Sequence, residues 1–405
     1  MEISIENKLV FVVGGGRWQA PIINEIKAKG YEVLCSNLYD NTDGVSVSDY
    51  FECADIKNKQ ANLDIAKKYN PIAVLTDQTD IAVPVVAYIA ETMNLNGIGV
   101  EVAERFTDKL KMRKAAESLG LNPRYREINS LKELHEAANY IGFPLILKPR
   151  CNQSSRGIVL VNNLESLEKS YNDCLLKSEE LSVLAEEYII GEEYTVEGFC
   201  FENKHYSLTT SVKEHYSSNM NVASKLVYPS GIDSRLKNSL FEVHNKLVSS
   251  LGLSFGITHA EYKYRDGKFY LIEVAARGGG TRISSDIIPT VTDCNVMDML
   301  IDCSLGRYDS KKIIDTLSKA TERKHVMLCF LDFKEGLVKN RTSESDLLSI
   351  EGVIDFQYMF NLGQSISRIQ DDSSRHAFML IKSESKAGLE NLERIVRGRI
   401  ELYYE

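Results

Sequence analysis

The sequence predicts an α/β unit followed by a larger α+β region, and three features carry that expectation. Over residues 8–93, β-rich runs alternate with helical patterns, the order that builds a parallel sheet. Beyond residue 107 the pattern changes to paired strands and charged helices, with a hairpin signal at Asp266-Gly267. The length of 405 residues allows about two to four domains. Apolar residues make up 43% and charged residues 26%, ordinary values for a globular chain, so a core can form without staples.

The elements follow in order. Residues 8–13, "KLVFVV", read as a strand that runs into Gly14-Gly15-Gly16. A helix from about Gln19 to Lys29, the strand "YEVLCS", a helix at 61–69, the strand "IAVLT" and a helix at 82–93 complete a first unit, residues 1–105. In the second unit, residues 106–305, a helix from about Thr107 stops at Gly120, with Pro123 beyond it. "FPLILKPR" is a strand, "CNQSSRG" a polar loop, and "IVLV" another strand. After a charged helix, "SVLAEEYI" leads into "EEYTVEGFCF", and a polar, tyrosine-bearing stretch continues to about Pro229. Residues 235–251 read as helix and "THAEYKYRDGKFYLIEVAAR" as a hairpin. Residues 306–405 switch to short strands and helices and read as a smaller α+β unit.

Several function classes are disfavoured. A net charge of -9 does not suit a nucleic-acid platform, which needs a basic face, although a local basic pocket would serve small anions. No run of about 18 apolar residues suggests a membrane span. The run Leu9–Val13 is too short for a signal-peptide core and has no basic leader, so a cytoplasmic location is expected. The eight cysteines are scattered without a C-x-x-C pair and are expected to be reduced. His259-Ala-Glu261 matches the H-x-E of zinc deaminases, but their P-C-x-x-C partner is absent, which argues against zinc.

The residues that could carry chemistry form four groups. Gly14-Gly15-Gly16 suits either a tight turn or a backbone-lined loop facing a substrate. The dinucleotide fingerprint fails there, because Gln19 takes the sixth position. Lys148 ends a strand beside a Ser/Gly loop, a setting that suits polyphosphate, whereas Lys109 opens a basic helix and by itself reads as solvated surface. Glu261 and Glu273 lie on the two hairpin arms. A three-residue, bulged loop would put both on one face, away from Tyr262, Ile272 and Val274; a two-residue turn would separate them. Two clustered carboxylates call for a cation, and Mg²⁺ bound through them and substrate phosphates fits. Finally, Arg277 precedes Gly278-Gly279-Gly280 and offers an anion fork; the competing role is a salt bridge, for example to Asp286.

Taken in order, "TDKLKMR", "FPLILKP", "SSRGIVLV", "AEEYIIGEEYTVEG" and "HAEYKYRDGKFYLIEVAARGGG" resemble the ATP-grasp superfamily over nearly the whole chain. Within it the chain looks like carboxylate–amine ligases related to L-amino-acid ligases, and more distantly like biotin carboxylase and D-alanine–D-alanine ligase. The resemblance implies an ATP-grasp fold: an N-terminal pre-ATP-grasp domain, an ATP-grasp body with a lid at about 120–185, and a C-terminal cap. It implies ATP and Mg²⁺ as cofactors, with Mn²⁺ a possible substitute. Small carboxylates and amines would be the substrates, a homodimer is allowed, and neither nucleic acid nor membrane would be a partner.

Specific roles also follow from the resemblance. Lys109 and Lys148 would contact ATP phosphates, with Ser154, Ser155 and Gly157 in a lid above them. The backbone of Glu186, Glu187, Tyr188 and Ile189 would read adenine, and Glu193 would accept from ribose hydroxyls. Glu261 and Glu273 would hold the metal. Arg277 would face the substrate carboxylate and acyl phosphate, with Glu197, Gly278 and Gly279 also near substrate. Arg277 and Lys148 would act directly in catalysis. Two departures stand out: Ala275 where the family often has asparagine, and Gln153 where related lids often carry glycine. The alternatives are a purine-pathway or carboxylase-type enzyme of the same superfamily, a dinucleotide-dependent oxidoreductase, and a nucleotide-binding module without catalysis.

Overall fold

β1 (Leu9–Val13) has no polar side chain and lies buried at the centre of the first sheet, between β2 (Glu32–Asn37) and β4 (Ala73–Leu75). β3 (Tyr50–Cys53) completes a parallel sheet in the order β3-β2-β1-β4. The computed structural model describes residues 8–152, 156–178 and 181–405. Alternation along β1 divides its side chains between two cores. Leu9, Phe11 and Val13 pack with α3 (Lys59–Tyr69) and α4 (Val83–Met93). Val10 and Val12 pack with α1 (Ala20–Ala28) and join a core that includes Ile287, Met297 and Ile301 of the main body. The short helix α2 (Asp43–Val47) and strand β3 have no counterpart in the sequence reading; "DGVSV" and "YFEC" are too short to show a period.

α5 (Val100–Thr107) and α6 (Lys109–Ala115) leave the first unit, and Asp108 caps α6 by accepting from the backbone N–H groups of Leu110 and Lys111. A second sheet follows, built from β5 (Tyr125–Ile128), β6 (Leu145–Pro149), β7 (Val159–Val161) and β8 (Val183–Glu187) in the antiparallel order β5-β8-β6-β7. α7 (Leu131–Ile141) and α8 (Leu167–Leu175) close its own small core, with Leu134, Ile141, Leu147 and Tyr171 inside.

The main body is one eight-stranded sheet. It contains β9 (Glu192–Phe201), β10 (Lys204–Tyr216), β11 (Asn219–Tyr228), β12 (Gly256–Arg265), β13 (Lys268–Ala275) and β14 (His325–Leu331). The polar, tyrosine-bearing stretch up to Pro229, to which the sequence assigns no element, is two long strands, β10 and β11. Thr209, Thr210 and Ser211 are buried within them, so their hydrogen-bonded polar side chains hide the usual apolar alternation. α9 (Ser234–Leu251) covers one face, with Leu240, Leu247 and Leu251 inward. β14 pairs with β11, so the C-terminal quarter extends the body sheet; β15 (Gly336–Arg341) starts a separate three-stranded sheet, β16 (Val353–Tyr358) forms the far edge of the large one, β17 (Ser365–Ile366) joins the small one, β18 (Ala377–Ser383) lies between β14 and β16, and β19 (Leu402–Tyr404) closes the small one. No helix among the described residues is long and apolar enough to cross a membrane.

Candidate nucleotide-binding cleft and active site

A cleft of about 860 Å³ lies between the β5-β8-β6-β7 sheet and the body, and it gathers residues from distant parts of the chain. Lys109, Lys148, Glu186, Glu187, Tyr188, Ile189, Glu193, Glu261 and Glu273 all line it. Ile146, Ile158 and Met220 add apolar surface. Ser154 and Ser155, with Gln153, lie outside the described residues. Gly157 is not part of the lining; at φ +78° it turns the chain, and an added Cβ would press on Pro149 and Lys177.

Most charged groups in the cleft have a partner of opposite sign. Lys109, the first residue of α6, holds Glu273 at 2.8 Å and donates to the Asn152 carbonyl at 2.7 Å. Lys148, on β6, reaches Glu186 at 2.8 Å, and the same carboxylate takes two hydrogen bonds from Arg113, at 2.6 and 3.1 Å. Burial alone would raise the pKa of Glu186, yet Arg113 and Lys148 bring it down to about 2. The Glu186 side chain is thus committed to protein cations. In the expected adenine-reading segment, the N–H groups of Glu187 and Tyr188 already donate to the carbonyls of Arg124 (2.8 Å) and Pro144 (3.2 Å). Any reading of a base by those two residues must use other backbone atoms.

The two hairpin glutamates meet, but by a different route from the one expected. The turn is a two-residue one: Arg265 pairs with Lys268, and Asp266 and Gly267 both have positive φ. That turn alone would separate the glutamates. A β-bulge corrects the register, because Tyr262 pairs with Leu271 while Glu261 pairs with Glu273, leaving Ile272 as the extra residue. Ile272 consequently lines the cleft beside Glu273 instead of facing away with Val274. Burial would raise both carboxylates, but Lys213 (2.7 Å) and His259 hold Glu261 well below the usual range, and Lys109 lowers Glu273. Two adjacent carboxylates, each neutralised by a lysine, are a fit for a divalent cation with phosphate oxygens completing its shell. Among the described residues there is no cluster of three or more His, Cys, Asp or Glu side chains that could hold a metal ion.

A chain of charges continues inward from Glu261. His259 lies 3.5 Å from it and donates from Nδ1 to Glu197 at 2.9 Å. Glu197 is fully buried and also accepts from Tyr228 (2.8 Å) and Thr195 (2.9 Å). Burial opposes charge on His259, but the Glu197 carboxylate against the ring lifts its pKa to about 9. Glu197 thus faces His259 in the interior and does not line the cleft.

Arg277 forms a bidentate pair with Asp80 of the first unit, at 2.9 and 2.6 Å. Asp286, the partner considered from sequence, pairs instead with Arg282 at 3.3 Å. The Gly278 N–H donates to Asp77 at 2.8 Å, and a Cβ there would collide with Asp77 and Ser284. At Gly279 a Cβ would meet Ile283 and His259. Both glycines are therefore required for close packing, while Gly280 faces open space. Gly14-Gly15-Gly16 is a packed turn: Gly14 has φ +106°, and the Gly15 carbonyl accepts from Thr42 and Val45. Asp80 also borders a second, larger cleft of about 1570 Å³, whose other walls include Lys57, Lys59, Lys111 and Arg150.

Four basic residues at or behind the cleft were not singled out from sequence. Lys213 bridges Glu193 (2.9 Å) and Glu261 (2.7 Å), His215 and Lys263 also face Glu193, and Arg113 anchors Glu186. Lys213 and His215 share a face of β10 by period-two spacing, a signal readable only once "SVKEHY" is known to be a strand.

A lysine-and-glutamate-lined cleft between a small antiparallel sheet and a large one is the architecture of the ATP-grasp fold. Residues 141–286 match the family model described as an ATP-grasp domain. It is 28% identical over 259 residues to alanine–anticapsin ligase of Bacillus subtilis (strain 168), covering 58% of this chain and 53% of that one. The chain thus spans about half the length of that curated relative. It is 25% identical over 296 residues to the formate-dependent phosphoribosylglycinamide formyltransferase of Saccharolobus solfataricus, covering 69% and 73%. L-amino acid ligase from Bacillus licheniformis has the same fold, with a TM-score of 0.83, 20% identity, and coverage of 98% and 99%.

Proposed function

We propose that this protein is an ATP- and Mg²⁺-dependent carboxylate–amine ligase that activates a small carboxylate, an amino acid or related acid, as an acyl phosphate. The observation that carries the reading is the meeting of Lys109, Lys148, Glu261 and Glu273 in one cleft. Two lysines suit the phosphates, and two adjoining carboxylates suit the metal that accompanies them. The β5-β8-β6-β7 sheet would act as the lid. The substrate carboxylate would attack the γ-phosphorus and release ADP. The amine would then attack the acyl carbon, lose a proton and expel phosphate. Bound metal would supply charge neutralisation; Glu261 and Glu273 would hold it, with Mn²⁺ a possible substitute. The protein's own part is positioning and electrostatics. Lys57 and Lys59, on the wall of the second cleft, would suit a carboxylate. Eight free cysteines favour a reducing compartment such as the cytoplasm.

The test is release of ADP and phosphate across a panel of amino acids and small carboxylates paired with amines. Stimulation by one acid–amine pair, with an amide product by mass spectrometry, is the expected result. Mg·ATP binding with no substrate-stimulated ADP release would leave only a binding module. A second reading, a substrate bearing a phosphoribosyl group, is favoured by the basic residues Lys57 and Lys59 on the first unit. Turnover of phosphoribosyl amines in preference to amino acids would select it.

A further inference from the structure

We infer that Arg113, which is buried behind the cleft and does not line it, is a positioning residue that keeps the charge of Lys148 available to phosphate. The inference rests on the nucleotide reading of the cleft. Arg113 and Lys109 are four residues apart on α6 and share its inner face. Lys109 holds Glu273, while Arg113 Nη2 donates to the carbonyl of the adjoining bulge residue, Ile272, at 2.8 Å. One helix therefore grips both residues of the bulge that aligns the carboxylates. Through Nε and Nη2 the same guanidinium holds Glu186, which in turn holds Lys148.

The charge count of this buried triad gives Arg113 its function. Arg113, Glu186 and Lys148 together carry +1; Lys148 and Glu186 border the cleft, and Arg113 lies buried behind them. Without Arg113, Glu186 and Lys148 sum to zero, and phosphate would have to compete with a buried carboxylate for the lysine. With Arg113, Glu186 is satisfied twice over and merely orients the ammonium. A lysine could not replace the arginine, because one ammonium cannot serve two carboxylate oxygens and a peptide carbonyl in one plane.

The test compares binding of Mg·ATP with binding of adenosine, which has no phosphate to meet Lys148. Arg113→Met is expected to weaken Mg·ATP binding about tenfold or more with adenosine affinity unchanged. Adding Glu186→Gln removes the competing carboxylate, so Mg·ATP affinity should return to within about threefold of wild type, while turnover stays about tenfold low because Lys148 is no longer oriented. Unchanged Mg·ATP affinity in Arg113→Met, or a parallel fall for ATP and adenosine, would overturn the inference. Should Arg113→Met fail to fold, the double variant decides alone, since losing both members of a buried pair is tolerated better than losing one. Wild-type turnover in the double variant would then overturn the proposal. Failure of the unaltered protein to bind Mg·ATP would instead remove the nucleotide reading itself.

Discussion

Glu261 and Glu273 are direct cross-strand partners because β13 carries one residue more than β12 between them and the turn. The extra residue, Ile272, converts a register that would part the two carboxylates into one that joins them. Their mutual repulsion is offset by Lys213 on one side and Lys109 on the other. On the proposed reading, the two carboxylates would exchange their lysine partners for a divalent cation. Glu261→Gln and Glu273→Gln should each lower Mg·ATP-dependent turnover by about 10²–10³-fold, as loss of a charge contact in the transition state commonly does. Near wild-type turnover in both variants at saturating magnesium would rule out the metal assignment.

Lys148 should act through charge and not as a base, since its ammonium is held by Glu186 in a buried ion pair. Lys148→Arg is expected to keep part of the Mg·ATP affinity, whereas Lys148→Met should lose most of it. Isothermal titration measures both. Equal affinity in Lys148→Met and the unaltered protein would end the phosphate role.

A pH effect on stability is expected from the buried imidazole of His205. Its ring bonds to Asn245 at 2.6 Å and to Thr258 at 2.7 Å, and burial depresses its pKa from 6.5 to about 4. Between about pH 6.5 and pH 4 the unfolded chain takes up a proton there that the folded one refuses, so stability falls as pH falls through that window. The contribution is fully present above 6.5. In His205→Gln this loss should be absent, and the stability gap between the two proteins, read from urea unfolding, should narrow from pH 7 to pH 4.5. A gap that stays constant over that range would contradict it.

Much of the site was legible because its residues sit at the ends of strongly patterned elements. Lys148 closes the apolar strand Leu145–Pro149, and the two glutamates flank an Asp-Gly turn. What remained hidden depends on register and burial. The bulge at Ile272 has no signature in "FYLIEVA", and Arg113 looks like one more charge on a basic helix until its full burial is seen. β10 and β11 are hard to see in the sequence because buried positions of β10 carry threonine and serine, whose hydroxyls are satisfied by neighbours such as Thr195 and Glu322. For the competing salt-bridge role of Arg277, the sequence offers a neighbouring acid such as Asp286 as partner. The partner is Asp80, 197 residues earlier, and only the docking of the first unit onto the body makes that contact.

The Arg277–Asp80 pair leads to the last prediction. Arg277 is buried in its stem but its side chain retains 13% exposure, and Asp80 opens onto the second cleft. Burial works against its charge, but Asp80 more than compensates and raises its pKa. The guanidinium is therefore permanently charged and oriented by a carboxylate from another unit. A substrate carboxylate could share that fork, and the acyl phosphate and tetrahedral oxyanion that follow concentrate more charge against it. Arg277→Lys keeps the charge and loses the fork, so turnover should fall about 10²-fold while Mg·ATP affinity changes little. Asp80→Asn keeps the fork and loosens its orientation, so KM for the acid should rise more than kcat falls. A purely structural salt bridge makes the opposite forecast: both variants would lower the melting temperature by similar amounts and leave turnover per folded molecule intact. Measuring kcat, KM and melting temperature for the two variants side by side separates these outcomes.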